Sequence, residues 1–226
     1  MSNYTIPGPM CCASNAERID QGTLCLSKSA PPGPIGITSL EPMLACSIYE
    51  SYVCGPSLSM NGLYDFSNRE STIAAIKSEC ILKGLDLKPQ IAYVLATVDH
   101  ETKHTFKPVR EAYWLSNPDA HLKKHHPEYY PYYGRGFVQL TWKLNYEKYG
   151  QLTGMDLVKS PDSALDPGVS LFILVHGFKT GGFTGRKLED YINATRTDFF
   201  NARRCINYLN RADDIAALAE IYLSKL

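Results

Sequence analysis

The sequence predicts a mainly α-helical protein, and three observations carry that expectation. Two stretches repeat apolar residues at helical spacing: Ile91, Val94, Leu95 and Val98 in one, Ile215, Leu218, Ala219 and Tyr222 in the other. Helix-start signals recur, with Pro89 and Asp166-Pro167 suited to first turns. Strand-like alternation is confined to Phe137-Val138-Gln139-Leu140-Thr141. At 226 residues and 44% hydrophobic content, the chain can bury one core of ordinary size.

Lys and Arg number 23, as do Asp and Glu, so no net charge argues for nucleic acid or an anionic membrane as partner. No apolar run approaches the ~18 residues of a membrane span. The first residues, Met1 to Pro9, offer neither a basic nor an apolar signal region, which predicts cytosolic synthesis without a signal peptide. The seven cysteines are odd in number and form no C-x-x-C pair, so reduced, mostly buried thiols are expected rather than a zinc ribbon or disulfide framework.

Residues 1–65 read as an extension. They hold Pro/Gly runs such as Pro31-Pro32-Gly33-Pro34 and five of the seven cysteines, with weak periodicity. The main domain is expected over 66–226. Ser71 is the expected cap of a first helix carrying Ile73, Ile76 and Cys80 and ending near Gly84. A second helix runs from Pro89 to about Glu101. Residues 103–134 show no clear period but are rich in rings, among them Tyr113, Trp114, Tyr129, Tyr132 and Tyr133. Flat rings mixed with polar chains suit a sugar, whose C–H faces stack while its hydroxyls take hydrogen bonds. Thr141 is the expected N-cap of a helix over 142–149 stopped by Gly150. Asn145, one turn on, points to the same place. Further helices are expected after Asp166, over 186–192, over 199–206 and from Asp213 or Asp214 to the end.

Two chemistries compete at Glu101. His100-Glu101-Thr102-Lys103-His104 matches H-E-x-x-H, the zinc peptidase signature, provided the helix continues to His104 and a third ligand such as Glu111 or His121 is supplied. The other pairs Glu101 with Glu111. Inverting glycoside cleavage uses a protonated carboxyl on the leaving oxygen and a carboxylate ~6.5–9.5 Å away that activates water. Glu101 continues an apolar face at a helix C-terminus, where burial and dipole both disfavour charge; Val109-Arg110-Glu111 is polar and favours an ionised base.

Ala96-Thr97-Val98-Asp99-His100-Glu101-Thr102 with Pro108-Val109-Arg110-Glu111-Ala112-Tyr113-Trp114 resembles the catalytic stretch of glycoside hydrolase family 19, especially its endolysin and chitinase-like members. Tyr132 to Thr141, with Asn145-Tyr146, is similar to the family's second signature. Gly182 to Leu188 and Asn201 to Asn207 are similar to its C-terminal part. The resemblance implies a lysozyme-like, two-lobed helical domain with a small β element and a substrate groove. It implies hydrolysis of β-1,4 bonds between N-acetylhexosamines, with Glu101 as general acid, Glu111 as base and Thr141 holding the attacking water. Gln139, Asn145 and Asn207 are implied as substrate contacts, and Tyr133 of the aromatic run is a further substrate-binding candidate. No metal or cofactor is implied, and the expected partner is a polysaccharide met by a monomer. Peptidoglycan is favoured over chitin, as for an endolysin released to the bacterial wall. Lys103 and His104 depart from the family's small residues, and Tyr208-Leu209 replaces its Gly after Asn207.

Overall fold

The structure, a computed structural model, describes residues 63–226. The expected 1–65 extension, but for its last three residues, lies outside the described residues. The described part is mainly helical with small antiparallel sheets. Helix α1 (Arg69–Leu82) is capped by Asn68 rather than Ser71: Asn68 accepts from the Ser71 N–H while Ser71 Oγ accepts from the Asn68 N–H, a reciprocal cap that starts the helix earlier.

Helix α2 (Lys88–Glu101) begins with Pro89 in its first turn, as expected. It is not amphipathic: every residue from Gln90 to Asp99 is buried. A helix covered on all sides is the centre of a core. Tyr93 makes this possible by packing against Phe178 and Phe199 at 6.0 Å between ring centroids. Its most extensive partner is α7 (Ala212–Leu223), which turns Ile215, Ala219 and Tyr222 inward and leaves Leu218 half-buried. Each large aliphatic side chain so buried contributes roughly 1.5–3 kcal/mol.

After α2 comes β1 (Val109–Arg110), then α3 (Pro118–His125), which the sequence reading missed. Its signals were present: Asn117 accepts from the Ala120 N–H, Pro118 starts the helix and Asp119 lies in its first turn. Eight residues burying only Leu122 leave no period to read. Strand β2 (Arg135–Gly136) pairs antiparallel with β1, Val109 opposite Gly136 and Arg110 opposite Arg135.

The strand expected over 137–141 is a tight loop. Arg135 and Leu140 exchange both backbone hydrogen bonds, and Gln139 sits at φ 53°. Thr141 is not a cap. The helix after it, α4 (Lys143–Thr153), has Trp142 at its N-cap position with φ 77°, and Thr141 Oγ1 instead donates to Gln139 O at 2.9 Å. The helix also passes through Gly150, where a side chain would meet Met155 O at 2.9 Å, and ends at Gly154 in the left-handed conformation.

A 3₁₀ turn (Pro161–Leu165) leads into α5 (Pro167–Thr180), capped by Asp166 as expected. Its buried side includes Leu171, Ile173, Leu174, Val175 and Phe178, while Val169, Phe172 and His176 are half-buried. The helix expected over 186–192 is absent. A 3₁₀ turn (Leu188–Asp190) and a hairpin of β3 (Ile192–Asn193) and β4 (Arg196–Thr197) stand there. Asp198 then caps α6 (Phe199–Ala202), which tightens into a 3₁₀ turn over Arg203–Cys205. Among the described residues, Cys80 and Cys205 are free, buried thiols, and burial pushes Cys205 up to about 12. No helix among them is long and apolar enough to cross a membrane.

Candidate active site

Glu101 is the last residue of α2, at the edge of the main core. Arg203 reaches it from the 3₁₀ turn after α6. Arg203 Nη1 donates to Glu101 Oε1 at 2.8 Å and Nε donates to Asn210 O at 2.8 Å. The arginine side chain is 3% exposed and the glutamate 16%. The sequence reading supplied burial and dipole for Glu101 but not this guanidinium. Two nitrogens of one rigid fork thus fix both the carboxyl and the turn that follows.

Glu111 follows β1 directly. Its backbone N–H donates to Gly134 O at 2.8 Å, and its own Oε2 accepts from the Gly134 N–H at 2.9 Å. Its Oε1 accepts from the Tyr129 hydroxyl at 2.9 Å. Burial, reinforced by the Glu111 carboxylate, pushes the Tyr129 phenol up, so Tyr129 stays a donor. Both oxygens of Glu111 are thus held by hydrogen-bond donors.

Glu101 and Glu111 line one cavity of about 560 Å³, within the ~300–1,000 Å³ usual for ligand sites. Gln139, Thr141, Asn145 and Asn207 line it too. Asn145 Nδ2 donates to Thr141 O at 2.8 Å, so these two share one place as expected. Gln139 spends its amide hydrogens on Val109 O (2.9 Å) and Gly136 O (3.2 Å), tying the loop to both strands. Tyr133 is the residue not brought to the cavity. It is 2% exposed, its hydroxyl donates to Asp119 at 2.7 Å, and its ring lies 3.8 Å from the Arg135 guanidinium.

Residues the sequence reading left out also form the walls. Trp142 is half exposed and edges onto Tyr129 at 5.5 Å, and Phe183 and Ile206 also line the cavity. Arg203 and Tyr129 were visible only as members of a motif and an aromatic run, because their partners lie 102 and 18 positions away.

The zinc signature loses its geometry. The helix ends at Glu101, Lys103 and His104 take φ 49° and 67°, and His104 turns to Asp99 at 3.3 Å. The i, i+4 spacing that would set two imidazoles on one helical face is therefore broken. Among the described residues, no group of three or more His, Cys, Asp and Glu is arranged to hold a metal.

Residues 115–181 match the family model of class I chitinases, glycoside hydrolase family 19. That span contains Gly134 to Thr141 and Asn145 and stops short of Glu101, Glu111 and Asn207. An endochitinase of Arabidopsis thaliana is 34% identical over 104 residues, 43% of this chain and 34% of its own length. An endochitinase of Pisum sativum is 31% identical over 104 residues, 37% of this chain and 30% of its own. An inactive chitinase-like protein of Hevea brasiliensis is 55% identical over 62 residues, 27% of this chain and 20% of its own. The chain spans about a third of the length of the curated relatives it matches first.

Proposed function

With the resemblance to glycoside hydrolase family 19 upheld by these matches, we propose that the protein hydrolyses β-1,4 bonds of a chitin-type N-acetylglucosamine polymer by single-step inversion. The observation that carries this is one cavity lined by Glu101, Glu111 and Thr141, with differently held carboxyls. The peptidoglycan reading made from sequence gives way to chitin as the preferred substrate, because the named relatives include endochitinases. Both polymers contain the same sugar unit, so the correction concerns preference and leaves the reaction class unchanged. One relative is named inactive, which makes the carboxylates, rather than the kinship, the basis for proposing turnover.

In this mechanism Glu101 protonates the leaving glycosidic oxygen. Arg203 holds Oε1 and a guanidinium cannot accept a hydrogen bond, so the transferable proton is carried on Oε2. Glu111 takes a proton from the attacking water. Tyr129 and the Gly134 N–H keep it aimed until then. The Thr141 hydroxyl already donates to Gln139 O, so toward water it acts as an acceptor. A water that gives one hydrogen to Thr141 and one to Glu111 turns a lone pair to the anomeric carbon. Asn145 and Asn207 offer amides to the sugar's N-acetyl and hydroxyl groups.

The test is product analysis on chitin oligosaccharides and on purified peptidoglycan, with the anomer of the new reducing end read by proton NMR before mutarotation. The expected result is faster release from chitin oligosaccharides, with the α-anomer as first product. A β-anomer first product sinks the inverting assignment; release from peptidoglycan alone sinks the chitin preference.

A further inference from the structure

The base is held by a hairpin that carries an unfavourable pairing. Across β1 and β2, Arg110 stands directly opposite Arg135, and like charges in that position push the strands apart. The residue after Arg110 is Glu111, and the residue before Arg135 is Gly134, which exchanges two hydrogen bonds with Glu111. Whatever opens the arginine pair therefore opens the grip on the base, one residue away on each strand.

Asp162, in the 3₁₀ turn before α5, gives one carboxylate oxygen to each arginine. Oδ1 accepts from Arg135 Nε at 2.8 Å, and Oδ2 accepts from Arg110 Nη2. Arg135 is 4% exposed, and its other partners are the Pro131 and Tyr133 carbonyls and the Tyr146 hydroxyl, all neutral. Asp162 is thus the anion paired with a buried cation. Arg110 has a second carboxylate, Asp119 of α3, at a looser 3.6 Å. The Asp162 side chain is itself 57% exposed and lies outside the cavity lining.

We propose that Asp162 is a positioning residue for Glu111: it neutralises the cross-strand arginine pair and so keeps the Glu111–Gly134 contact closed. This rests on the proposed role of Glu111 as base. Asp162→Asn keeps the shape but replaces one acceptor oxygen with a donor that faces a guanidinium. The expected result on a chitin oligosaccharide is a fall in kcat of roughly tenfold or more, since misplacement of a reacting group by ~1 Å costs up to ~100-fold, with KM nearly unchanged. Asp162→Glu should restore part of kcat. Removing one of the repelling charges should do the same, so Asp162→Asn with Arg110→Met should turn over faster than Asp162→Asn alone.

If Asp162→Asn does not fold, the double variant is compared with Arg110→Met alone; the proposal requires it to fold and to keep at least about a third of that variant's kcat. Wild-type kcat in Asp162→Asn, a loss confined to KM, or a double variant no better than the single overturns the proposal. Glu111→Gln, run alongside, separates the two failures. If Glu111→Gln keeps full turnover, the base assignment is wrong. If it is inactive while Asp162→Asn is unaffected, only the positioning role is wrong.

Discussion

The two walls of the cavity are built by different physics. The Glu101 wall belongs to the main core: α2 is buried on all sides, α7 packs along it, and the carboxyl meets a guanidinium that is 3% exposed. The Glu111 wall rests on a satellite cluster of Ala112, Leu122 and Tyr133, with short strands and partly exposed ion pairs around it. Glu101 is therefore fixed by close packing, which resists displacement. Glu111 is fixed by hydrogen bonds and charge pairs, each modest alone and dependent on its neighbours. One wall should fail through loss of stability, and the other through loss of geometry in a protein that stays folded.

The largest effect tests the acid itself. Glu101→Gln keeps the shape and an acceptor for Arg203, and should lower kcat on a chitin oligosaccharide by roughly 10²–10⁴ while the circular dichroism spectrum is preserved. Near-normal turnover would remove Glu101 from the acid role. Next comes the partner. Arg203→Met removes the buried donors held by the Glu101 carboxyl and the Asn210 carbonyl, and leaving those acceptors unpaired costs about 1–3 kcal/mol, read as a lower denaturant midpoint. If the midpoint hardly moves, the rigid-wall description is wrong. On the other wall, Tyr129→Phe removes one donor from Glu111. About 1 kcal/mol of lost orientation predicts a severalfold fall in kcat with a melting temperature close to wild type. A large stability loss without a kcat change would invert the comparison.

The smallest effect is a pH slope. His100 is half-buried beside Glu101 and Arg203, and burial lowers its pKa below the usual 6.5. A histidine with a depressed folded pKa favours the folded state when neutral. Its contribution is present above the unfolded value and lost as pH falls through and below it. Melting temperatures taken from roughly pH 7 down to pH 5 should fall less steeply in His100→Gln than in wild type. Parallel slopes would show that burial around this end of α2 is looser than described.

Much of the helical frame was legible because it follows local rules. Pro89, Asp166 and Asp198 start helices where the sequence marks them, since capping and φ restriction act within a few residues. Helix α3 escaped because eight residues around a small satellite core bury a single leucine. The 137–141 loop escaped because alternation describes burial, whereas Gln139 is held at positive φ by carbonyls of Val109 and Gly136. At the site, Glu101, Glu111, Gln139, Thr141, Asn145 and Asn207 were legible from motif residues and do line one cavity. Tyr133 was not, because a ring in an aromatic run does not disclose whether it faces the groove or an arginine.

The sequence by itself determined the helical class, the helix starts at Pro89, Asp166 and Asp198 and most of the residues from which the cavity is made, because propensity, capping and motif chemistry are short-range. Only the tertiary structure decided which charge stands beside which carboxyl. Arg203 comes to Glu101 from 102 positions away, and Asp162 reaches back 52 and 27 positions to the two arginines beside Glu111. Such pairings depend on how distant elements close around a core, and a local pattern holds no record of them.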